Sequence, residues 1–459
     1  MRTFPAEPPA GEPPRPWSPP PHALQDLGNG LRVAAVRLEG LPIAHVRWVF
    51  SSGRVHERPD RLGSGLLLQR AMRHGMSDLN MGAFAQTLDG LGARMGGGVT
   101  IDSSMVGISG LSQHLWRFVD IATGVALEPA LPDIAVAAER YKAVQIHRHE
   151  WSKIDGLTNL WLMHGLYGTH PYGLPRTTMA GLKATTRQDL QSLHEAIVDP
   201  HRGLVLVVGR VDVDRVVARL ADRFKDLPSQ TTPTPVVPPE PRRPVHQLTM
   251  IPMAGTEAVS IGFGLPAVAR AHADFDGLSI VNQVLGGSAS SRLFDELRNR
   301  LALTYGAYSQ LDSGRHGGDI TSAVSVRAED GVACFEALHR QLTTLAAGGI
   351  AETELRRAQQ FLIGRFPQRA SGLSGMATLQ TVAWMHELPD DEWSTEQARI
   401  SAFDLQEAQR LAGEYFTPEL SAWVAVGPPD RLADVGRRAQ AAGLSVVERQ
   451  PDDLEHPGV

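Results

Sequence analysis

The sequence is poor in cysteine, with Cys334 alone among 459 residues. A single thiol excludes an internal disulfide framework and any zinc module built on several cysteines. No apolar run reaches the ~18–20 residues needed to cross a bilayer, so no membrane span is expected. The N-terminus lacks the charged, then apolar, then small-residue order of a secretory leader, and a cytoplasmic location is the expectation. Basic charge is not in excess either. Lys plus Arg number 44 against 50 Asp plus Glu, a net charge of −6. A nucleic-acid binder would show a basic stripe, and that class is set aside.

What is present fits a globular protein of more than one core. Hydrophobic residues make up 42% and charged residues 20%, and this length predicts two or more domains. Residues 1–22 are dense in proline (Pro5, Pro8, Pro9, Pro13, Pro14 and onward). Proline fixes φ and lacks a donor, so an extended tail is expected there. A second proline-rich stretch, LPSQTTPTPVVPPEPRRP, separates two segments of similar size. The division is therefore a tail 1–22, a first domain 23–227, a linker 228–244, a second domain 245–445 and a polar tail 446–459.

The two domains repeat one pattern. LVLVVG followed by DVDRVVARLADRF matches SAWVAVG followed by PDRLADVGRRAQ, and Gly209 and Gly427 lie 218 residues apart. IAHVRWVF matches AVSIGFGL at an offset of 215, as does MVGISG with ITSAVS. Nearly constant spacing with the same element type each time points to duplication. Within each half, strands with period-two alternation come first, helices follow, and a strand and helix close the unit. Helices are expected near 63–75, 112–127, 133–152, 274–286, 290–300, 329–347 and 352–366. Strands are expected near 92–110, 303–311 and 318–326. GARMGGG (92–98) reads as a turn between strands. The fold class is α+β: two homologous sandwich halves, each a mainly antiparallel sheet with helices on one face.

Three segments carry a resemblance: NGLRVAAV (29–36), IAHVRWVFSSGRVHERPDRLGSG (43–65) and LGGSASSRLFDELRNRLALTYGAYS (285–309). The last is the most specific, a Gly-rich turn leading through Ser-Ser-Arg-Leu-Phe to a helix and a Tyr-bearing strand. With the strands closing each half, the chain resembles the pitrilysin/insulinase/mitochondrial-processing-peptidase superfamily, the inverzincins, over residues 23–445. The resemblance implies a clam-shell arrangement of homologous halves around a peptide.

Active members carry H-x-x-E-H on the first helix. Imidazoles at i and i+4 share a helix face, which suits tetrahedral zinc, and the glutamate between them activates water. Laid on this chain from Gly63, the motif falls on Leu66, Gln69 and Arg70, and no H-x-x-E-H occurs elsewhere. Leucine has no lone pair, the glutamine amide is no base near neutrality, and Arg70 places positive charge where the cation would lie. The third ligand position falls near His147. His147 and His149 point about 200° apart on a helix, so they form no pair. This chain is expected to bind no metal.

The second half keeps a different feature. In active members an arginine and a tyrosine seven residues later reach the zinc site, bind the substrate backbone and stabilise the tetrahedral intermediate. Arg298 and Tyr305 stand at that spacing. Guanidinium and phenol are donors, and donors aimed at a developing oxyanion lower its energy. Arg298 paired within its helix and Tyr305 half-buried on a strand is the alternative reading. The resemblance implies a non-catalytic subunit whose homologous partner carries zinc, the two enclosing a peptide. A structural or assembly subunit, like the inactive core subunits of the respiratory bc1 complex, and a peptide-sequestering homodimer remain alternatives.

Overall fold

The computed structural model describes residues 17–77, 79–227 and 246–455. The linker 228–244 and most of the tail 1–22 lie outside the described residues. In the first half the strands are β1 (His22–Asp26), β2 (Arg32–Arg37), β3 (Ile43–Phe50), β4 (Arg94–Val99), β5 (Ser104–Leu111) and β6 (Gly203–Gly209). The helices are α1 (Ser64–Ala71), α2 (Met81–Gly90), α3 (Leu115–Leu127), α4 (Asp133–Trp151), α5 (Ile154–Tyr167), α6 (Met179–Ala184), α7 (Arg187–Ile197) and α8 (Val213–Phe224).

The second half supplies β7 (Gln247–Pro252), β8 (Ala258–Ala267), β9 (Gln310–Ser313), β10 (Gly318–Arg327), β11 (Ala422–Gly427) and β12 (Ser445–Glu448). Its helices are α9 (Phe275–Leu285), α10 (Arg292–Phe294), α11 (Gly331–Ala346), α12 (Glu352–Arg369), α13 (Gly372–Met385), α14 (Glu392–Ala402), α15 (Leu405–Tyr415) and α16 (Pro429–Ala441). The stretch read as a polar tail carries β12 and a 3-10 turn, Pro451–Glu455, whose Leu454 is buried.

Two six-stranded sheets result, ordered β1-β2-β6-β3-β5-β4 and β12-β7-β11-β8-β10-β9. Both are mixed. The first is antiparallel except for β2 with β6, and the second pairs β7 in parallel with both β11 and β12. β3 and β8 open at Ile43 and Ala258, the offset of 215 read from the sequence.

The halves interlock. One face of the first sheet packs Val46, Trp48, Val205 and Val207 against its own helices. The opposite face, with Val36, Leu204, Leu206 and Val208, packs against Met376, Ala377 and Leu379 of α13 from the second half. Reciprocally, Leu157, Trp161 and Leu162 of α5 cover Ile251, Val424 and Val426 of the second sheet. Helices on one face thus describe each half alone, and the opposite half covers the other face. Strands so buried on both faces read as near-continuous apolar runs, as GLVLVVG does. The close approach requires Gly262, where a Cβ would lie 2.7 Å from Leu162 Cδ1.

Two expected elements differ. GARMGGG is not a turn: Arg94 to Val99 pair with β5 as the edge strand β4. Glycine weakens a strand, but six backbone pairings with a neighbour outweigh that preference. The strand expected at 303–311 is confined to Gln310–Ser313. Residues 303–309 have no partner strand, because the chain reverses just before them through Ala302, at φ +53.

Candidate functional site

The first helix begins after Gly63, whose φ of +108 a side chain would strain. Buried Glu57 accepts a hydrogen bond from the Gly65 backbone N–H, pairs with Arg54 at 3.0 Å, and so complements the positive end of α1. Leu66, onto which the resemblance lays the first imidazole, is buried in the first core. Gln69 is half-buried, and its Nε2 donates to the Gly97 carbonyl of β4 at 2.8 Å. Arg70 is half-exposed and forms no ion pair among the described residues.

His147 lies on α4, buried to 2% exposure. Its Nδ1 meets Thr177 Oγ1 at 2.9 Å and its Nε2 meets Glu455 Oε1 at 2.5 Å. The other Glu455 oxygen accepts from the Met179 N–H at 2.6 Å. Both ring nitrogens are therefore engaged by the protein. One turn beyond Arg70, His74 Nε2 meets Glu139 Oε1 at 3.1 Å, and Lys142 bonds the same oxygen at 2.8 Å. Burial opposes ionisation of Glu139, but these two donors outweigh it and hold the carboxyl below its usual range. No group of three potential metal ligands gathers among the described residues. This donor set does not fit zinc: of Leu66, Gln69, Arg70 and His147 only His147 is an imidazole, and both its nitrogens are already engaged.

The second-half segment is built differently. α10 continues as a π-helix over Asp295–Arg300, closed by Leu301 N–H to Glu296 O at 3.0 Å. Such wide turns are costly and concentrate at functional sites. Buried Glu296 anchors it, pairing with Arg300 at 2.7 Å and Arg340 at 2.6 Å. Arg298 is left on the outer side, exposed, its guanidinium over Phe294 at 4.7 Å. It has no carboxylate partner among the described residues, so the intrahelical ion pair does not form.

Tyr305 is 96% exposed, and its hydroxyl has no hydrogen-bond partner among the described residues. Both ends of its segment are pinned. Leu303 N–H donates to Leu297 O at 2.9 Å, and Ser309 N–H donates to Gly286 O at 3.0 Å. Ser309 Oγ also donates to buried Asn282 Oδ1 at 2.6 Å. Gly286 is required there, because a Cβ would lie 2.3 Å from Ser309 N. The outcome is an exposed tyrosine and an exposed arginine on one fixed, strained excursion. Sequence reasoning singled out both residues but expected neither the π-helix nor the contact of Glu455 with His147, 308 residues away.

β4 ends its sheet with one side unpaired. Edge strands are usually blocked by charge or proline, whereas this one carries Gly96, Gly97 and Gly98, with open space at the Cβ positions of Gly96 and Gly98. The Gly97 carbonyl between them is taken by Gln69 Nε2.

A family profile described as "Peptidase M16 inactive domain" matches residues 184–362. The chain is 26% identical over 348 residues to the "Uncharacterized zinc protease ML0855" of Mycobacterium leprae, covering 74% of this chain and 76% of that protein. Among solved structures, a peptidase M16 inactive domain from Pseudomonas fluorescens superposes with a TM-score of 0.82 at 21% identity, covering 89% of this chain and 98% of the other. A protease from Helicobacter pylori gives 0.80 at 21% identity, covering 89% and 100%.

Proposed function

Given that this chain is a homologue of the M16 peptidases without their zinc motif, we propose that it is the non-catalytic subunit of a two-subunit zinc peptidase. It forms one half of a peptide chamber, and a homologous partner carries the zinc and activates water. Arg298 and Tyr305 are this chain's contribution: two donors that bind the substrate backbone and stabilise negative charge developing on the scissile carbonyl. The observation that carries the reading is Tyr305, 96% exposed on a segment pinned at both ends. A large aromatic side chain placed so, with an unpartnered hydroxyl, satisfies nothing among the described residues of this chain.

The peptide adds as a strand to a sheet edge, for which β4 is the candidate once Gln69 gives up the Gly97 carbonyl. Main-chain pairing tolerates varied side chains, which suits leader, precursor or fragment peptides. In a reconstituted pair, Arg298→Met and Tyr305→Phe should each lower turnover by about 10²–10³-fold, the usual effect of removing one oxyanion donor. Subunit assembly should be unchanged. Unaltered turnover in both variants would instead favour a structural or assembly role.

A further inference from the structure

A cavity of about 580 Å³ lies between the halves, and its lining includes neither Arg298, Tyr305 nor any residue of β4. That volume is within the range of small-molecule sites, ~300–1,000 Å³. Arg47 enters it from β3, on the face that α13 covers. Its Nε meets His45 Nε2 and its Nη1 meets Thr381 Oγ1, each at 3.3 Å, and no carboxylate contacts it among the described residues. Burial alone lowers its affinity for its proton. His45 is pushed down to about 4 by burial and by Arg47, so it is a neutral neighbour.

The other half contributes the opposite charge. Asp319 on β10 is 5% exposed and accepts from the Tyr167 hydroxyl at 2.7 Å. Asp312 stands directly across from it in the β9–β10 register and lines the same cavity. Like charges placed opposite one another are destabilising, and no cation contacts either among the described residues. Met105, Met163, Val382 and Met385 supply apolar wall between them, beside the polar Asp102 and His386. A buried charge without a partner is costly. Here Arg47 and the Asp319–Asp312 pair face a single cavity from different sheets without meeting, and Asp102, which accepts from the Tyr172 hydroxyl, lines it too.

We propose that this cavity binds a short zwitterionic peptide with apolar side chains, its carboxylate on Arg47 and its ammonium between Asp319 and Asp312. A free amino acid carries both charges on one Cα, whereas each added residue separates them by about a further 3.5 Å. The methionines supply an adaptable surface for varied apolar side chains. The site is independent of any peptide held at a sheet edge.

The test is calorimetric titration of the full chain with the dipeptide Met-Leu, N-acetyl-Met-Leu and Met-Leu amide. Met-Leu should bind one to one, and capping either end should weaken it at least tenfold. Arg47→Met should bind Met-Leu and its amide equally, and Asp319→Asn should bind Met-Leu and its N-acetyl form equally. If a variant fails to fold, the capped ligands on the unaltered chain still decide. Absence of binding at millimolar Met-Leu, indifference to capping, or unchanged binding in both folded variants would overturn the proposal.

Discussion

Asp319 offers a quantitative check on how the two halves meet. Burial raises its carboxyl from 3.8 to about 7, against the Tyr167 hydrogen bond and with help from the Asp312 charge across the ladder. The folded chain therefore holds this proton more tightly than the unfolded one. Between the two values the native state binds more protons, so stability falls as pH rises and the loss is complete above about 7. Each pKa unit is worth 1.36 kcal/mol, so the span from pH 5 to about 7 amounts to about 2–3 kcal/mol. Asp319→Asn keeps an acceptor for the Tyr167 hydroxyl and removes the ionisation. In urea titrations the variant should gain about 2–3 kcal/mol relative to the parent on going from pH 5 to pH 8. The comparison cancels titrating groups that do not interact with Asp319, whereas Asp312 on β9 and Tyr167 on α5 are coupled to it. A pH-independent difference, or a variant that loses ground at pH 8, would show that Asp319 is not buried in this seam.

Other outcomes follow from single contacts. Gly262→Ala places a Cβ 2.7 Å from both Leu162 Cδ1 and the Ser322 carbonyl, and overpacking of this kind costs about 1–3 kcal/mol, read as a lower urea midpoint. Gly286→Ala meets the Ser309 backbone at 2.3 Å, so it should displace the Tyr305 segment and reduce turnover of a reconstituted pair; retained turnover would contradict the pinning. Glu455→Ala leaves His147 buried with Nε2 unpaired. A buried orphan costs about 1–3 kcal/mol, and faster hydrogen exchange in α6 should accompany it.

The order of elements was legible because burial on both faces writes near-continuous apolar runs, and because duplication repeats them at fixed spacing. GLVLVVG and SAWVAVG announce central strands without any knowledge of what covers them. The interlock was not legible. Nothing in the sequence of α5 says that its apolar residues face the other half's sheet, since a helix stripe does not name its partner. GARMGGG misled because glycine signals turns locally, while pairing with β5 is a tertiary effect. The strand expected around Tyr305 failed for a related reason: residues 303–309 alternate suitably, but the π-helix and Ala302 redirect the chain before a ladder can form. The loss of H-x-x-E-H was plain from Leu66, Gln69 and Arg70. That His147 is held by Glu455 required the fold, because the contact joins residues 308 positions apart.

The central claim is that this chain frames a peptide site and leaves water activation to a sister subunit. The most direct measurement is metal content and peptide cleavage of the purified chain, alone and mixed with a homologue bearing H-x-x-E-H. The account predicts no bound zinc and no cleavage for the chain alone, with chelator-sensitive cleavage on mixing that exceeds what the homologue achieves by itself. One zinc per isolated chain, with cleavage abolished by a chelator, would contradict it.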